Sequence, residues 1–183
     1  MQDQLGSPVA GNRTSARSSN QSNGRPRKGI RQTHDVTRTL PSPSFRQSAP
    51  TEAVVFTAVK YQSQEHIGIN QNIVFDHVEI NEGNGYHSDH GLFIAPVSGI
   101  YMFTCTLLRP PSPKYLHALI VHSGREVVRV YASAGSTWDQ GSHTVFIQVN
   151  AGEEVWVTNA DYDNEVVTGS NYSSFSGYLM YPL

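Results

Sequence analysis

The residues best suited to binding chemistry fall in two polar segments in the second half of the sequence. Trp138 stands beside Asp139 and Gln140, and a later segment carries Tyr162 and Tyr172. Aromatic rings stack on the apolar faces of sugars while neighbouring carboxylates and amides bond to sugar hydroxyls. Exposed rings are also common at protein interfaces. These five residues, all expected in loops, are therefore candidate ligand-binding positions, with local packing as the alternative for each ring.

A run of oxygen-bearing side chains lies between the last two of these rings. It consists of Asp161, Asp163, Asn164 and Glu165. Carboxylate and amide oxygens are the hard donors that Ca²⁺ prefers, so Asp161 and Asp163 are candidate calcium ligands. The alternative is a solvated acidic loop. We expect no obligatory cofactor, with calcium as the candidate ion.

The sequence offers no catalytic arrangement. It contains no Gly-x-Ser-x-Gly elbow, no His-Glu-x-x-His, no phosphate-binding loop and no cysteine pair for zinc. Ser142 and His143 are neighbours, and adjacent residues of a strand point to opposite faces. His87 and His90 could supply part of a metal site or a pH response, with a plain polar loop as the alternative. We therefore predict that the protein is not an enzyme.

Charge divides the 183-residue chain into two unlike segments. Residues 1–50 contain eight Lys or Arg against two acids and few aromatic or branched apolar side chains, whereas residues 51–183 contain five basic and thirteen acidic side chains. A segment of the first composition buries too little apolar surface to offset the entropy cost of ordering. We predict a disordered basic arm, rich in Ser, Arg and Pro, over 1–50 and one folded domain over 51–183.

The charge and the motifs of the chain predict its partners and its cellular location. The basic run at 25–28 predicts a protease-processing site or a polyanion-binding segment, with a solvated tail as the alternative. The acidic folded part argues against nucleic-acid binding, and no stretch reaches the roughly 18 apolar residues of a membrane helix. The start of the sequence lacks a secretory signal pattern, which for a secreted protein indicates an incomplete or processed N-terminus or an unconventional export route. Asn12, Asn20 and Asn171 begin sequons and are candidate glycosylation sites in that case.

From Thr51 onward the sequence predicts short β-strands separated by clusters of turn-forming residues. No helical periodicity extends beyond two turns. This pattern is typical of an all-β sandwich or jelly roll. The candidate strands are 54–60, 73–80, 91–94, 99–108, 115–122, 126–131, 143–149, 154–158 and 174–181.

Two of these strands are apolar on both faces. In 99–108, Tyr101, Phe103 and Cys105 share one face, and Ile100 lies on the other. The last candidate strand shows the same pattern, with Phe175, Leu179 and Tyr181 predicted on one face, taken below as the inner one, and Tyr178 and Met180 on the other. A strand that faces water on one side should alternate between apolar and polar residues, so the second face is covered by a subunit interface or by a loop. Cys105, the only cysteine, is predicted to be a buried structural thiol rather than part of an intermolecular disulfide.

A spaced set of residues in and between these strands has a recognisable pattern. Its members are Phe75, Asn81, Tyr86, Phe93, Gly99, Tyr101 and Phe103. The set resembles the signature of the complement C1q globular head domain family, with Cys105 where the family usually has Phe or Tyr. Two further blocks, at 152–156 and 175–179, are similar to the family's later strands. Because each residue of the set also has a packing or turn role, the set predicts architecture rather than a ligand.

The resemblance implies an all-β, ten-stranded jelly-roll sandwich of the complement C1q and tumour necrosis factor superfamily that assembles as a homotrimer. No collagen-like repeat or heptad precedes Thr51, so the chain resembles the stalkless C1q-domain-containing proteins of invertebrates. The resemblance further implies a secreted, extracellular recognition protein of innate immunity that binds microbial or host-surface carbohydrate or lipopolysaccharide multivalently. The alternative is a cytokine-like or synaptic-organiser-like ligand for a protein receptor. The missing collagen repeat argues against a matrix role.

Overall fold

A computed structural model describes residues 53–183. The predicted arm at 1–50, with its basic run and its two sequons, lies outside the described residues. Within 53–183 the chain forms twelve β-strands and no helix, and accordingly this range holds no helix able to cross a membrane. Strands β1 to β12 are, in chain order, Val55–Val59, Gln64–Ile67, His77–Glu82, Tyr86–His87, Leu92–Ile94, Gly99–Arg109, Leu116–His122, Arg125–Ala132, Asp139–Val149, Glu154–Asn159, Glu165–Val167 and Ser174–Pro182.

Ten of these strands form two antiparallel five-stranded sheets. The first sheet has the order β3-β1-β12-β6-β9 and the second has the order β4-β5-β10-β7-β8. Strands β2 and β11 pair separately as a small two-stranded sheet. Most neighbours within a sheet are distant in sequence, as in a jelly roll. The predicted ten-stranded all-β jelly roll is confirmed.

Aromatic residues of the sequence signature fill the space between the two sheets. Tyr101 and Phe103 project inward from β6 and are fully buried. The ring of Phe56, from β1, lies 4.8 Å from Tyr86 and 5.1 Å from Phe93. Contacts at these centroid distances stabilise the core beyond the burial of area alone. The signature therefore specifies the aromatic centre of the sandwich.

The polar and small members of the signature have equally structural roles. The Asn81 amide accepts a hydrogen bond from the Tyr86 N–H and donates one to the Tyr86 carbonyl, both at 3.0 Å. The Tyr86 hydroxyl donates to the Phe75 carbonyl at 3.1 Å. The glycine of the signature has a packing role. A Cβ at Gly99 would lie 2.7 Å from the backbone carbonyl oxygen of Tyr181, so close packing of β6 against β12 requires glycine.

Segment 73–80 differs from its predicted strand. Regular pairing begins only at His77, although Ile73 and Phe75 are fully buried. The N–H of Ile73 donates to the carbonyl of Val157 at 2.9 Å, outside any long ladder. An irregular segment can bury alternate residues as a strand does, and for that reason the sequence pattern overestimated the strand.

The end of β12 also differs from expectation. A register shift between Leu179 and Tyr181 places Tyr181 opposite Ile100, so its predicted place on the inner face is wrong. The short strands β2, β4 and β11 were not predicted because two to four residues carry too little alternation. Cys105 is fully buried with a free thiol, as predicted, and burial raises the pKa of this thiol because the thiolate loses its hydration.

Candidate ligand-binding site

Three of the five candidate ligand-binding residues come together at one end of the first sheet. Trp138, Gln140 and Tyr172 line a groove of about 490 Å³, together with Leu108 and Thr168. Trp138 is 57% exposed and Tyr172 is 59% exposed. The lining of this groove, called here the Trp138 groove, thus combines two exposed rings with amide and hydroxyl groups. None of these five lining residues is charged.

Neighbouring strands of the first sheet position the Trp138 groove. Gln140 of β9 lies opposite Leu108 of β6 in the ladder. The Gln140 amide donates a hydrogen bond to the carbonyl of Tyr172 at 3.3 Å. The N–H of Thr168 donates to the carbonyl of Leu108 at 2.8 Å. These bonds connect β6, β9 and the segment before β12 into one rigid frame for the two rings.

The loop that presents Tyr172 contains a strained backbone. Ser170 and Asn171 have φ values of 55° and 67°. This region costs a residue such as serine about 1–3 kcal/mol and is tolerated better by asparagine. Such strain is concentrated at functional sites. Asn171 is exposed, so this sequon, whose glycosylation stays a prediction, lies immediately beside the groove.

Asp139 does not line the Trp138 groove. It is the first residue of β9 rather than part of a loop, and its carboxylate accepts hydrogen bonds from the N–H of Ser133 at 2.5 Å and from the Ser133 hydroxyl at 2.8 Å. These bonds lower the pKa of Asp139 because they favour the ionised carboxylate. The side chain therefore fixes the β8–β9 connection, and its contact with a ligand stays a prediction.

Tyr162 lies in a separate aromatic cluster on the outer face of the second sheet. The rings of Tyr115 and Tyr131 are 5.6 Å apart, and the ring of His117 lies 5.2 Å from Tyr131 and 5.9 Å from Tyr162. The three tyrosines are between 37% and 49% exposed. These four residues are called here the tyrosine patch. Sequence reasoning missed three of them, although His117 and Tyr131 occupy outward positions of β7 and β8 and pair with each other.

The predicted calcium ligands already have partners from the protein. Arg129 donates to both carboxylate oxygens of Asp161 at 3.1 Å, and Nδ1 of His117 is also hydrogen-bonded to Asp161. The bonds from His117 and Arg129 lower the pKa of Asp161. Asp163 accepts a hydrogen bond from the N–H of Ile69 at 3.2 Å. Residues 53–183 contain no group of three His, Cys, Asp or Glu arranged to hold a metal, so calcium at Asp161 and Asp163 would need backbone or water ligands and stays a prediction.

The outer face of the first sheet has an exposed apolar half. Phe146 is 59% exposed, Tyr181 56%, and Tyr178 and Met180 both 45%. Met102 of β6 lies between Phe146 and Tyr178 in the ladder. These five residues are called here the apolar face. Four of these five side chains stay exposed, so no loop within 53–183 covers them, and a subunit interface on this face stays a prediction.

Hydroxyl groups line the middle of the same outer face. Thr144 donates to Thr104 at 3.0 Å, and the hydroxyls of Thr106 and Ser142 are also 3.0 Å apart. Ser142 thus bonds to a threonine on the neighbouring strand rather than to His143. This pairing gives the Ser142 hydroxyl a structural role between the apolar face and the Trp138 groove.

Comparison with known sequences identifies the domain. The C1q domain family model matches residues 55–180. The chain is 30% identical over 116 residues to complement C1q tumor necrosis factor-related protein 3 of mouse and of human, and the match covers 61% of this chain and 46% of each relative. The chain therefore spans about half the length of these curated relatives. The family and these relatives are non-enzymatic, which agrees with the prediction made from the missing motifs.

Solved structures share the fold at low sequence identity. The globular domain of zebrafish complement 1qA protein has a TM-score of 0.60 at 16% identity and covers 71% of this chain and 99% of its own. Eiger TNF from S. frugiperda has a TM-score of 0.62 at 10% identity, with coverage of 73% and 96%. Murine APRIL at pH 5.0 has a TM-score of 0.59 at 10% identity, with coverage of 71% and 100%. Given the family match over residues 55–180, the chain belongs to the C1q domain family.

Proposed function

We propose that this protein is a secreted recognition module of innate immunity that binds carbohydrate or lipopolysaccharide of microbial or host surfaces in the Trp138 groove. It assembles as a homotrimer through the apolar face and acts without catalysis. Each groove binds weakly by itself. Three grooves on one rigid assembly engage a repetitive surface together, which strengthens overall binding.

The observation that carries this proposal is the pair of exposed rings facing one groove. Trp138 and Tyr172 offer apolar surface to the C–H face of a sugar, while Gln140 and Thr168 offer donors and acceptors to its hydroxyls. An apolar lining with a few oriented polar groups is typical of small-molecule sites. The strain at Ser170 and Asn171 supports the same assignment, because it is stored in the loop that presents Tyr172.

The apolar face supports the homotrimer. Full burial of each large apolar side chain stabilises an assembly by about 1.5–3 kcal/mol, and a closed cyclic assembly removes such a face from water in every copy. Leu108 lies six residues beyond Met102 along β6, which corresponds to about 20 Å. Assembly through the apolar face can therefore leave the Trp138 groove, at the other end of the sheet, accessible to ligand.

Glycan binding by the Trp138 groove is tested by titrating immobilised lipopolysaccharide and a glycan array with the full chain. We expect Trp138→Ala and Tyr172→Ala to weaken binding by about tenfold or more, because each removes a ring that stacks on the sugar. Tyr115→Ala on the tyrosine patch is the matched control and should bind as the unmodified chain does. Absence of binding at micromolar concentration, or unchanged binding by both groove variants, would contradict the proposal.

The tyrosine patch favours a second candidate function, a cytokine-like or synaptic-organiser-like ligand for a protein receptor. Tyr and Arg dominate binding hot spots in protein interfaces, and Arg129 joins the patch through Asp161 and His117. This function predicts a saturable, glycan-independent partner on cell surfaces whose binding is lost in Tyr131→Ala and kept in Trp138→Ala. The opposite dependence would support the carbohydrate function.

A further inference from the structure

A second groove lies on the outer face of the second sheet, on the side opposite the apolar face. It measures about 380 Å³ and is lined chiefly by Asn70, Leu119, Val121, Glu126, Trp156 and Thr158. We propose that this groove, called here the Trp156 groove, binds a single neutral sugar residue and discriminates against sugars that carry a carboxylate. The proposal is independent of the function assigned to the Trp138 groove, since the two grooves share no residue and lie on different sheets.

The β7–β10 ladder builds an apolar floor for the Trp156 groove. Val155 and Val157 are fully buried in the core, so Trp156 between them projects to the outer face, where it lies opposite Val121. Leu119 and Val121 are only 9% and 7% exposed. A half-buried indole beside a dry aliphatic floor offers one flat apolar surface, which suits the C–H face of a pyranose ring.

Asn70 and Glu126 supply polar groups at the rim of this floor. Asn70 is exposed and has a φ of 61°, a conformation that asparagine adopts more readily than other residues with a side chain. Arg129 holds the Glu126 carboxylate in place, with Nε 2.7 Å from one oxygen and Nη2 3.2 Å from the other. Each oxygen keeps a further lone pair that can accept a sugar hydroxyl, while the Asn70 amide can donate and accept. The rim thus matches the alternating donors and acceptors of a sugar edge.

Glu126 also sets the charge preference of the Trp156 groove. It is the one ionised side chain among the six lining residues named above. Arg129 pairs with it, but the same guanidinium also pairs with Asp161, so these three side chains together keep a charge of −1. A carboxylate within hydrogen-bond range attracts hydroxyl donors and repels a second anion, which should weaken binding of an acidic sugar by about tenfold or more. The Trp138 groove has no charged side chain in its lining and lacks this source of discrimination. The two grooves are therefore complementary in the sugars they accept.

The two tryptophans of the chain allow the Trp156 groove to be tested separately. The sequence contains only Trp138 and Trp156, so Trp138→Phe leaves Trp156 as the sole indole, and its fluorescence reports on this groove. We would titrate the Trp138→Phe full chain with the methyl glycosides of glucose, galactose and mannose and with those of the matching uronic acids. We expect a saturable change in Trp156 emission with at least one neutral glycoside and about tenfold weaker binding of its uronic acid partner.

Two substitutions in the Trp138→Phe background test the rim. Asn70→Gly removes the amide while suiting the positive φ, so the fold is kept and neutral binding should weaken about tenfold. Glu126→Gln removes the charge and should bring the affinities for the neutral and acidic sugars within about threefold of each other. Tyr172→Ala is the control and should leave the Trp156 titration unchanged even if it abolishes binding in the Trp138 groove.

Several outcomes would overturn the proposal. The first is the absence of a saturable response to all three neutral glycosides, and the second is equal affinity for glycoside and uronic acid. The third is neutral binding that persists undiminished in Asn70→Gly, and the fourth is a preference for the neutral sugar that persists in Glu126→Gln. A Trp156 response that disappears in Tyr172→Ala would also overturn it, because the signal would then originate outside this groove.

Discussion

The chain contains two sets of aromatic residues that differ in position and in consequence. Phe56, Phe93 and Phe103 lie between the sheets with at most 1% of their surface exposed, whereas Trp138 and Phe146 are 57% and 59% exposed. The buried set makes mutual ring contacts near 5 to 6 Å that hold the two sheets together. The exposed set makes no such contribution, and we propose that its members bind a ligand or another copy of the chain.

This difference separates the evidence for family from the evidence for function. The signature from Phe75 to Phe103 identifies the C1q domain because its residues build the core, and for the same reason it says nothing about a ligand. The grooves and the apolar face lie outside the signature. Substitutions in the buried set should therefore lower stability, and substitutions in the exposed set should lower binding or assembly. The opposite pattern would contradict this division.

The largest expected effect is the difference in stability between a substitution in the buried set and one in the exposed set. Phe103→Ala should reduce the free energy of unfolding by about 3–5 kcal/mol, because it opens a cavity among stacked rings. Tyr172→Ala should change it by less than about 0.5 kcal/mol, because the ring is 59% exposed. Urea denaturation of both variants measures these values. A similar loss in both would show that Tyr172 is a structural residue.

A second substitution addresses the apolar face. Phe146→Lys should raise the protein concentration needed for assembly by about tenfold or more, because a charged amine replaces a ring buried between copies. Ile69→Lys is a matched control at an exposed apolar residue, 46% exposed, outside this face. Sedimentation velocity over a concentration series measures both. Equal effects of the two variants would show that the apolar face has no special part in assembly.

Carboxylates show the same contrast between exposed and buried positions. Glu153 accepts hydrogen bonds from Asn150 and from His122, which lower its pKa to about 2. Glu165 is only 3% exposed, and burial raises its pKa despite the nearby charge of Arg109. The ionised form is therefore stabilised by folding in the first case and destabilised in the second, so the two residues should give opposite responses to pH.

Glu153→Gln should lower the melting temperature at pH 7. The folded pKa of Glu153 is depressed below the ordinary value of 4.5, so its stabilising effect is present above pH 4.5 and is lost as the pH falls toward 2. The difference between variant and unmodified chain should therefore shrink over this range. Thermal melts by circular dichroism at several pH values measure it, and a constant difference down to pH 2 would contradict the assignment.

Glu165→Gln should have the opposite and smaller effect, a higher melting temperature at pH 7. Because the folded pKa of Glu165 is raised above 4.5, ionisation of this residue costs stability as the pH rises through and beyond the unfolded value. The amide keeps the shape of the side chain and removes that cost. The same melts should show no gain at pH 4, and a loss of stability at pH 7 would indicate a net favourable pairing with Arg109.

Sequence patterns predicted the features of this molecule that depend on residues close together in the chain. The alternation of Tyr101, Phe103 and Cys105 identified β6 and its buried face, because a strand alternates every second residue. The apolar residues on the opposite face of β6 were predicted from the same alternation. The pairing of Asp161 with Arg129 was not predictable, since it joins residues 32 positions apart that meet only because β10, β7 and β8 are neighbours in the second sheet.

The candidate sites show the same limit. Trp138 and Tyr172 lie exposed in loops, as their polar surroundings suggest, whereas Gln140 lies in β9 rather than in the expected loop. Their position beside Leu108 in one groove depends on β12, β6 and β9 being neighbours in the sheet. Trp156 was interpreted only as part of a family block, because alternation alone does not show which face of β10 stays accessible. Strand order, which a single sequence does not reveal, decided both outcomes.

The central claim is that the exposed rings of the apolar face are exposed because another copy covers them. Sedimentation equilibrium of the full chain at micromolar concentration tests this most directly. The account predicts a single species of three times the chain mass of 20.2 kDa, which dissociates in Phe146→Lys. A monomer that persists at high concentration would contradict the trimer and, with it, the multivalent mode of recognition.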